Sequence, residues 1–138
     1  MKNKNKRHTI FSFFRKRKYD IIGLQECHIS TAKEAEQWEM QWGGKLFYSL
    51  GTNHSLGHIT LVSKSCMQNT QCIYHDDRII LLETSTNNSK LLIANIYAPQ
   101  SPTDKIAFFY QMHNIITKYK REEHTSILIG DFNSVLDN

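Results

Sequence analysis

Apolar positions recur along this chain with two alternating periods, one helical and one extended. From Arg7 to Lys18, Ile10, Phe11 and Phe14 fall on one side of a short helix. Asp20 to Gln25 reads as a short apolar strand. Thr31 to Trp42 reads as a second helix: Thr31 and Glu34 have capping-box spacing, and Ala35, Trp38 and Trp42 form a buried stripe. A strand-rich middle follows, with strands expected at Lys45–Leu50, His58–Ser63, Gln71–Tyr74, Arg78–Thr84 and Lys90–Ala98. Turn signals at Gly51-Thr-Asn53, Asp76-Asp77 and Asn87-Asn88 separate them. A third helix is expected from Pro102 to about Lys120, capped by Ser101, with Phe108, Phe109, Met112, Ile115, Ile116 and Tyr119 as its apolar side. Thr125–Gly130 is the last strand. The runs Leu91–Ala94 and Ile127–Ile129 are apolar at consecutive positions, as in strands covered on both faces. The whole reads as one layered α/β domain, with helices covering sheets.

Composition adds bounds. The chain has 138 residues, 40% hydrophobic and 22% charged, an ordinary globular balance for one domain. No apolar run approaches the ~18 residues that cross a bilayer, so no membrane association is expected. Three cysteines, Cys27, Cys66 and Cys72, form no CxxC pair. Reduced thiols in an intracellular protein, nuclear or cytoplasmic, are the simplest reading. The net charge of +4 is unevenly spread. Residues 1–20 carry eight Lys/Arg against Asp20, a balance of +7, while the remainder carries nine against twelve, a balance of −3. A basic N-terminal segment suits nucleic-acid phosphates, and equally suits a solvated helix face.

Candidate chemistry gathers where three apolar strands run into polar residues. Ile21–Leu24 runs into Gln25-Glu26, Leu91–Ala94 into Asn95-Ile-Tyr97, and Ile127–Gly130 into Asp131-Phe-Asn133. In layered α/β proteins, ligands collect at such carboxyl ends. Glu26 and Asp131 would then converge as two buried carboxylates, whose repulsion a hard cation such as Mg²⁺ relieves. Asn133 and Tyr97 add an amide and a hydroxyl. Each residue also has an ordinary reading: Glu26 as a solvated loop residue, Asp131 and Asn133 as turn residues, and Tyr97 as a core aromatic.

These residues resemble the motifs of the endonuclease/exonuclease/phosphatase superfamily, which includes exonuclease III and apurinic/apyrimidinic endonucleases. Asp20-Ile-Ile-Gly-Leu-Gln-Glu26, Asn95-Ile-Tyr-Ala-Pro99 and Ile129-Gly-Asp-Phe-Asn133 stand in the family's order. Trp42–Ser49, Gly57–Lys64, Asp77–Glu83 and Val135-Leu-Asp-Asn138 are similar to the endonuclease of non-LTR retrotransposons, the long interspersed elements. The resemblance implies a partial four-layer α-β-β-α sandwich of the DNase I-like, exonuclease III type. It implies Mg²⁺ (with Mn²⁺ as substitute) and DNA as partner, nicked by phosphodiester hydrolysis to leave a 3′-hydroxyl. By resemblance Glu26 ligates the metal and Tyr97 contacts the scissile phosphate. Asp131 orients or deprotonates the attacking water or serves the leaving group, and Asn133 positions Asp131 or the phosphate.

Departures from the family pattern shape the expectation. The family's first strand, carrying N-x-x-G-L, has no counterpart before Met1, and its later Asp and S-D-H motif have none before Asn138. Residues 1–138 therefore read as a single, incomplete domain, weak or inactive alone and prone to self-association through exposed sheet edges. Cys27 stands where the family commonly has Thr, and His58 in a strand that is more often wholly apolar. A non-catalytic nucleic-acid-binding remnant and a small-molecule phosphoesterase of the same superfamily are the alternatives.

Overall fold

The structure is a computed structural model that describes residues 1–53 and 55–134; Val135-Leu-Asp-Asn138 lies outside the described residues. The chain runs α1 (Lys4–Arg17), β1 (Ile21–Leu24), α2 (Ala32–Trp42), β2 (Lys45–Ser49) and β3 (His58–Val62). After a 3₁₀ turn at Met67–Asn69 come β4 (Thr70–His75), β5 (Ile79–Ser85), β6 (Lys90–Tyr97), α3 (Pro102–Tyr119) and β7 (His124–Asp131). The expected elements are all present, and most bounds agree to within one or two residues. The exception is α1, which begins at Lys4 rather than Arg7. Asn3 accepts a hydrogen bond from the Lys6 amide and caps the helix there, so most of the lysine-rich tract is helical.

Two sheets form. One has the order β1-β3-β2, all antiparallel; the other has the order β4-β5-β6-β7, with β6 and β7 parallel. The period-two alternation of each strand decides which layer a side chain enters. On β3, Ile59 and Leu61 join Phe11 of α1 and Ala35, Trp38 and Trp42 of α2 in an outer core. On β5 and β6, Ile79, Leu81, Leu92, Ala94 and Ile96 meet Phe108 and Met112 of α3 in the opposite outer core. Val62, Ile80 and Leu82 fill the space between the sheets. The result is an α-β-β-α stack, as the motifs imply, with β3 buried at every position.

Expectation fails in two places on packing. Ile127 and Leu128 of β7 are 38% and 41% exposed, so this run is not covered on both faces. Among the described strands β7 is an edge, bonded on one side only to β6. The N-terminal charge is also partly structural. Arg7 is buried; its guanidinium donates to Gln41 and the Met1 carbonyl and lies 4.8 Å from the Trp38 ring. Arg15 donates to the Gln41 and Trp42 carbonyls at the C-terminal end of α2. Both arginines pin α1 to α2.

His58 shares a face of β3 with Thr60 and Val62, between the sheets. It is fully buried, and among the described residues neither ring nitrogen has a hydrogen-bond partner. Burial pushes its pKa down from 6.5 to about 4, outweighing attraction to Asp76. The unfolded chain therefore binds a proton first as pH falls. Stability is full above about 6.5 and declines as pH drops towards 4, by roughly 3 kcal/mol in all. His58→Leu is expected to raise stability at neutral pH by about 1–3 kcal/mol and to flatten this acid limb. Urea denaturation across that range checks both effects.

Candidate active site at the strand ends

The two sheets lock together at Asn95 of β6. Its side chain is buried and donates to the Ile59 carbonyl (2.9 Å) and Thr60 hydroxyl (3.0 Å) of β3, while its oxygen accepts from Gln25 (2.6 Å). Three bonds satisfy an amide that would otherwise cost stability in the interior. Gly23 of β1 makes the approach possible, because a Cβ there would stand 2.6 Å from the Asn95 oxygen. This knot brings the carboxyl ends of β1 and β6 side by side.

Glu26 follows β1 in the left-handed region (φ 53), a conformation most side chains avoid. The segment is held by amides of Cys27 and His28 donating to the Gly57 and Leu56 carbonyls. Cys27 is buried and packs inward; burial pushes its thiol pKa up to about 12, which makes it a structural residue. The backbone twist leaves Glu26 exposed above it.

Tyr97 ends β6. It is 6% exposed, and its hydroxyl donates to a Glu26 carboxylate oxygen at 2.9 Å. Burial, then the bond to Glu26, hold its pKa above the usual phenol value, so it is a donor at neutral pH. Asp131 ends β7 directly opposite Tyr97 in the parallel ladder, and its carbonyl accepts from the Ala98 amide. Gly130 sets this register: at φ 129 its missing Cβ would lie 2.0 Å from the Ile96 carbonyl oxygen. Asn133 turns back in the left-handed region (φ 45). Its amide donates to the Asp131 carboxylate (2.9 Å), and its side chain donates to the Ala98 carbonyl (2.6 Å). Lys105 of α3 bonds the Asn133 carbonyl.

The structure thus links Glu26 to Tyr97, sets Tyr97 beside Asp131, and ties Asp131 to Asn133. A cavity of about 670 Å³ opens next to them, lined by Tyr97 and Asn133 and by Ser55, Arg78, Gln100 and Asp104. One expectation needs correction. Glu26 is exposed and Asp131 half-buried, so water screens their repulsion and a cation is not required to relieve it. Among the described residues no group of three or more His, Cys, Asp or Glu side chains is placed to hold a metal. The oxygen-only donor set still fits Mg²⁺, which takes one or two carboxylates and completes its shell with water and phosphate.

Sequence reasoning gave no role to Gln25, Asn95, Arg78 or Lys105. The first two lie inside the quoted motifs, so polar residues in apolar strands were the available signal. Arg78, inside the quoted stretch Asp77–Glu83, and Lys105 act across elements, and their local sequence does not name the groups they meet.

A sequence model of the Endonuclease/Exonuclease/phosphatase family matches residues 1–138. Over 132 residues the chain is 30% identical to the Transposon TX1 uncharacterized 149 kDa protein of Xenopus laevis, covering 93% of this chain and 10% of that protein. Among solved structures, humanized TDP2 of D. rerio superposes with a TM-score of 0.66 at 15% identity, over 96% of this chain and 58% of that one. The endonuclease domain of TRAS1, a telomere-specific non-LTR retrotransposon, gives 0.66 at 15% identity, over 99% and 56%. The chain therefore spans a tenth of the curated relative and little over half of these solved chains.

Gly23→Ala is expected to force the Asn95 amide aside and destabilise the fold by about 1–3 kcal/mol. Thermal or urea denaturation measures it; an unchanged midpoint would mean the knot is slack.

Proposed function

The chain belongs to the endonuclease/exonuclease/phosphatase family, and from that membership we propose that its strand-end site serves Mg²⁺-dependent hydrolysis of DNA phosphodiesters, nicking one strand. The observation that carries this reading is the Glu26–Tyr97 bond, with Asp131 opposite Tyr97 on the neighbouring strand. It gathers a carboxylate, a phenol donor and a second carboxylate from distant parts of the sequence. The relatedness to a transposon protein and the fold of a retrotransposon endonuclease domain support DNA as the substrate class.

Glu26 would hold Mg²⁺, which when bound neutralises phosphate charge and activates water. Tyr97, kept protonated, would release its bond to Glu26 and donate to a phosphate oxygen as charge develops there. Asp131 would orient the attacking water or take its proton. Asn133 keeps that carboxylate fixed through its backbone amide, and the cross-links to Ala98 fix Asn133. The phenol, together with a cation when one is bound, would share the charge that develops on the phosphate. Weak turnover by this chain alone is the expectation.

Lysines just before and within the first turn of α1 would offer a second contact. Lys2, Lys4 and Lys6 are exposed, and Lys2 reaches Ser30, four residues after Glu26 in sequence. DNA phosphates leaving the site would meet these lysines. This observation also favours the alternative reading, a nucleic-acid-binding protein without catalysis.

In a plasmid assay, weak nicking that needs Mg²⁺ is expected, falling to background in Glu26→Ala and Asp131→Ala and reduced in Tyr97→Phe. Robust nicking that survives the first two substitutions would overturn the site. DNA binding measured against salt is expected to weaken when Lys2, Lys4 and Lys6 become Gln, its log–log slope falling by about one for each lysine in contact. Salt-sensitive binding with no nicking would leave the non-catalytic reading standing.

A further inference from the structure

Tyr97 is braced from a side that the chemistry above does not use. Arg78 precedes β5, whose Ile79 pairs with Ile96 of β6, so Arg78 faces Tyr97 across the ladder. The Tyr97 amide donates to the Arg78 carbonyl at 2.8 Å, and the Arg78 guanidinium donates back to the Tyr97 carbonyl at 3.1 Å. The same guanidinium lies 5.1 Å from the centroid of the Tyr97 ring. One side chain therefore grips both the backbone and the face of the tyrosine.

Arg78 is itself held. Asp76 accepts from the amides of Arg78 and Ile79 at 2.8 Å each, and its other oxygen accepts from the Tyr74 hydroxyl at 2.6 Å. The Asp76 amide closes the turn onto the Ile79 carbonyl. A continuous chain of contacts thus runs from Tyr74 through Asp76 and Arg78 to Tyr97 and ends on Glu26, in the loop after β1 of the other sheet.

We propose that Arg78 is a positioning residue for the candidate site: it holds Tyr97 in the rotamer that aims its hydroxyl at Glu26. The inference rests on the assignment of Tyr97 to the proposed site. The phenol can turn about two side-chain bonds, and a hydrogen bond to an exposed carboxylate alone is a weak restraint in water. A cation over the ring face, tied at the same time to the backbone carbonyl, removes that freedom. Arginine suits the task better than lysine, because its flat fork can stack and donate at once.

The test reads the tyrosine directly, without metal or DNA. In the full chain with isotope-labelled tyrosine, the phenol carbon resonance of Tyr97 is identified by its absence in Y97F and followed at fixed neutral pH. E26A gives the position of the resonance when the acceptor is gone. R78A is expected to move the resonance at least half that distance in the same direction, by way of the contacts that Arg78 makes with the tyrosine's carbonyl and ring. R78K keeps the charge and loses the fork, and is expected to move the resonance as well; it carries the test if R78A does not fold. The other five tyrosine signals report that the fold is intact. A resonance that stays in place in R78A overturns the proposal, as does one that R78K leaves at its original position. Since no turnover is measured, failure here is separate from failure of the nicking assay.

Discussion

The site depends on a polar contact made in the least polar place available. Asn95 sits between two sheets and uses its amide to hold a carbonyl and a hydroxyl of β3 and the glutamine that follows β1. An apolar residue there would pack, but it would not dictate alignment, since hydrophobic contact is indifferent to small slides. Directional bonds with fixed lengths resist sliding. The two sheets consequently meet at one setting, and the ends of β1 and β6 arrive together. Glu26 and Tyr97, 71 positions apart in sequence, come within hydrogen-bond reach because of it.

Above this anchor the chain departs from regular geometry where the chemistry lies. Glu26, His28 and Asn133 occupy left-handed backbone conformations, and two of these are candidate site residues. Such conformations persist only where surroundings enforce them. Here amides of Cys27 and His28 tie one loop to the turn before β3, and Asn133 is tied to Ala98 and Lys105. Strands deliver rigidity and the strained residues deliver direction.

How much of this could be read from the sequence varies with distance along the chain. The second helix was fully legible: Thr31 caps it by accepting from the Glu34 amide, and Trp38 and Trp42 are buried as their spacing requires. There the rules are local. The helix α1 starts three residues earlier than its apolar spacing indicates, because the stripe begins only at Ile10 while Asn3 supplies the cap. Arg7 and Arg15 looked like surface charge, and only the fold reveals the tryptophans and helix end that they serve. The apolar run at Ile127–Ile129 promised cover on two faces, but periodicity does not name the covering element. The candidate site was legible as motifs at strand ends, while its bracing by Arg78 and Asn95 was not, since contacts between sheets leave no repeating pattern.

The edge position of β7 has a mechanical consequence. Among the described strands, Asp131 belongs to one with a ladder on one flank only, pinned near its far end by His124, whose ring meets Glu83 at 2.8 Å. Amides on the open flank of such a strand exchange hydrogen with solvent sooner than those of interior strands. The half of the site that carries Asp131 is thus softer than the half that carries Glu26 and Tyr97. Anything bridging the two halves would spend part of its affinity stiffening β7, so occupancy of the site should be visible as slowed exchange along that one strand.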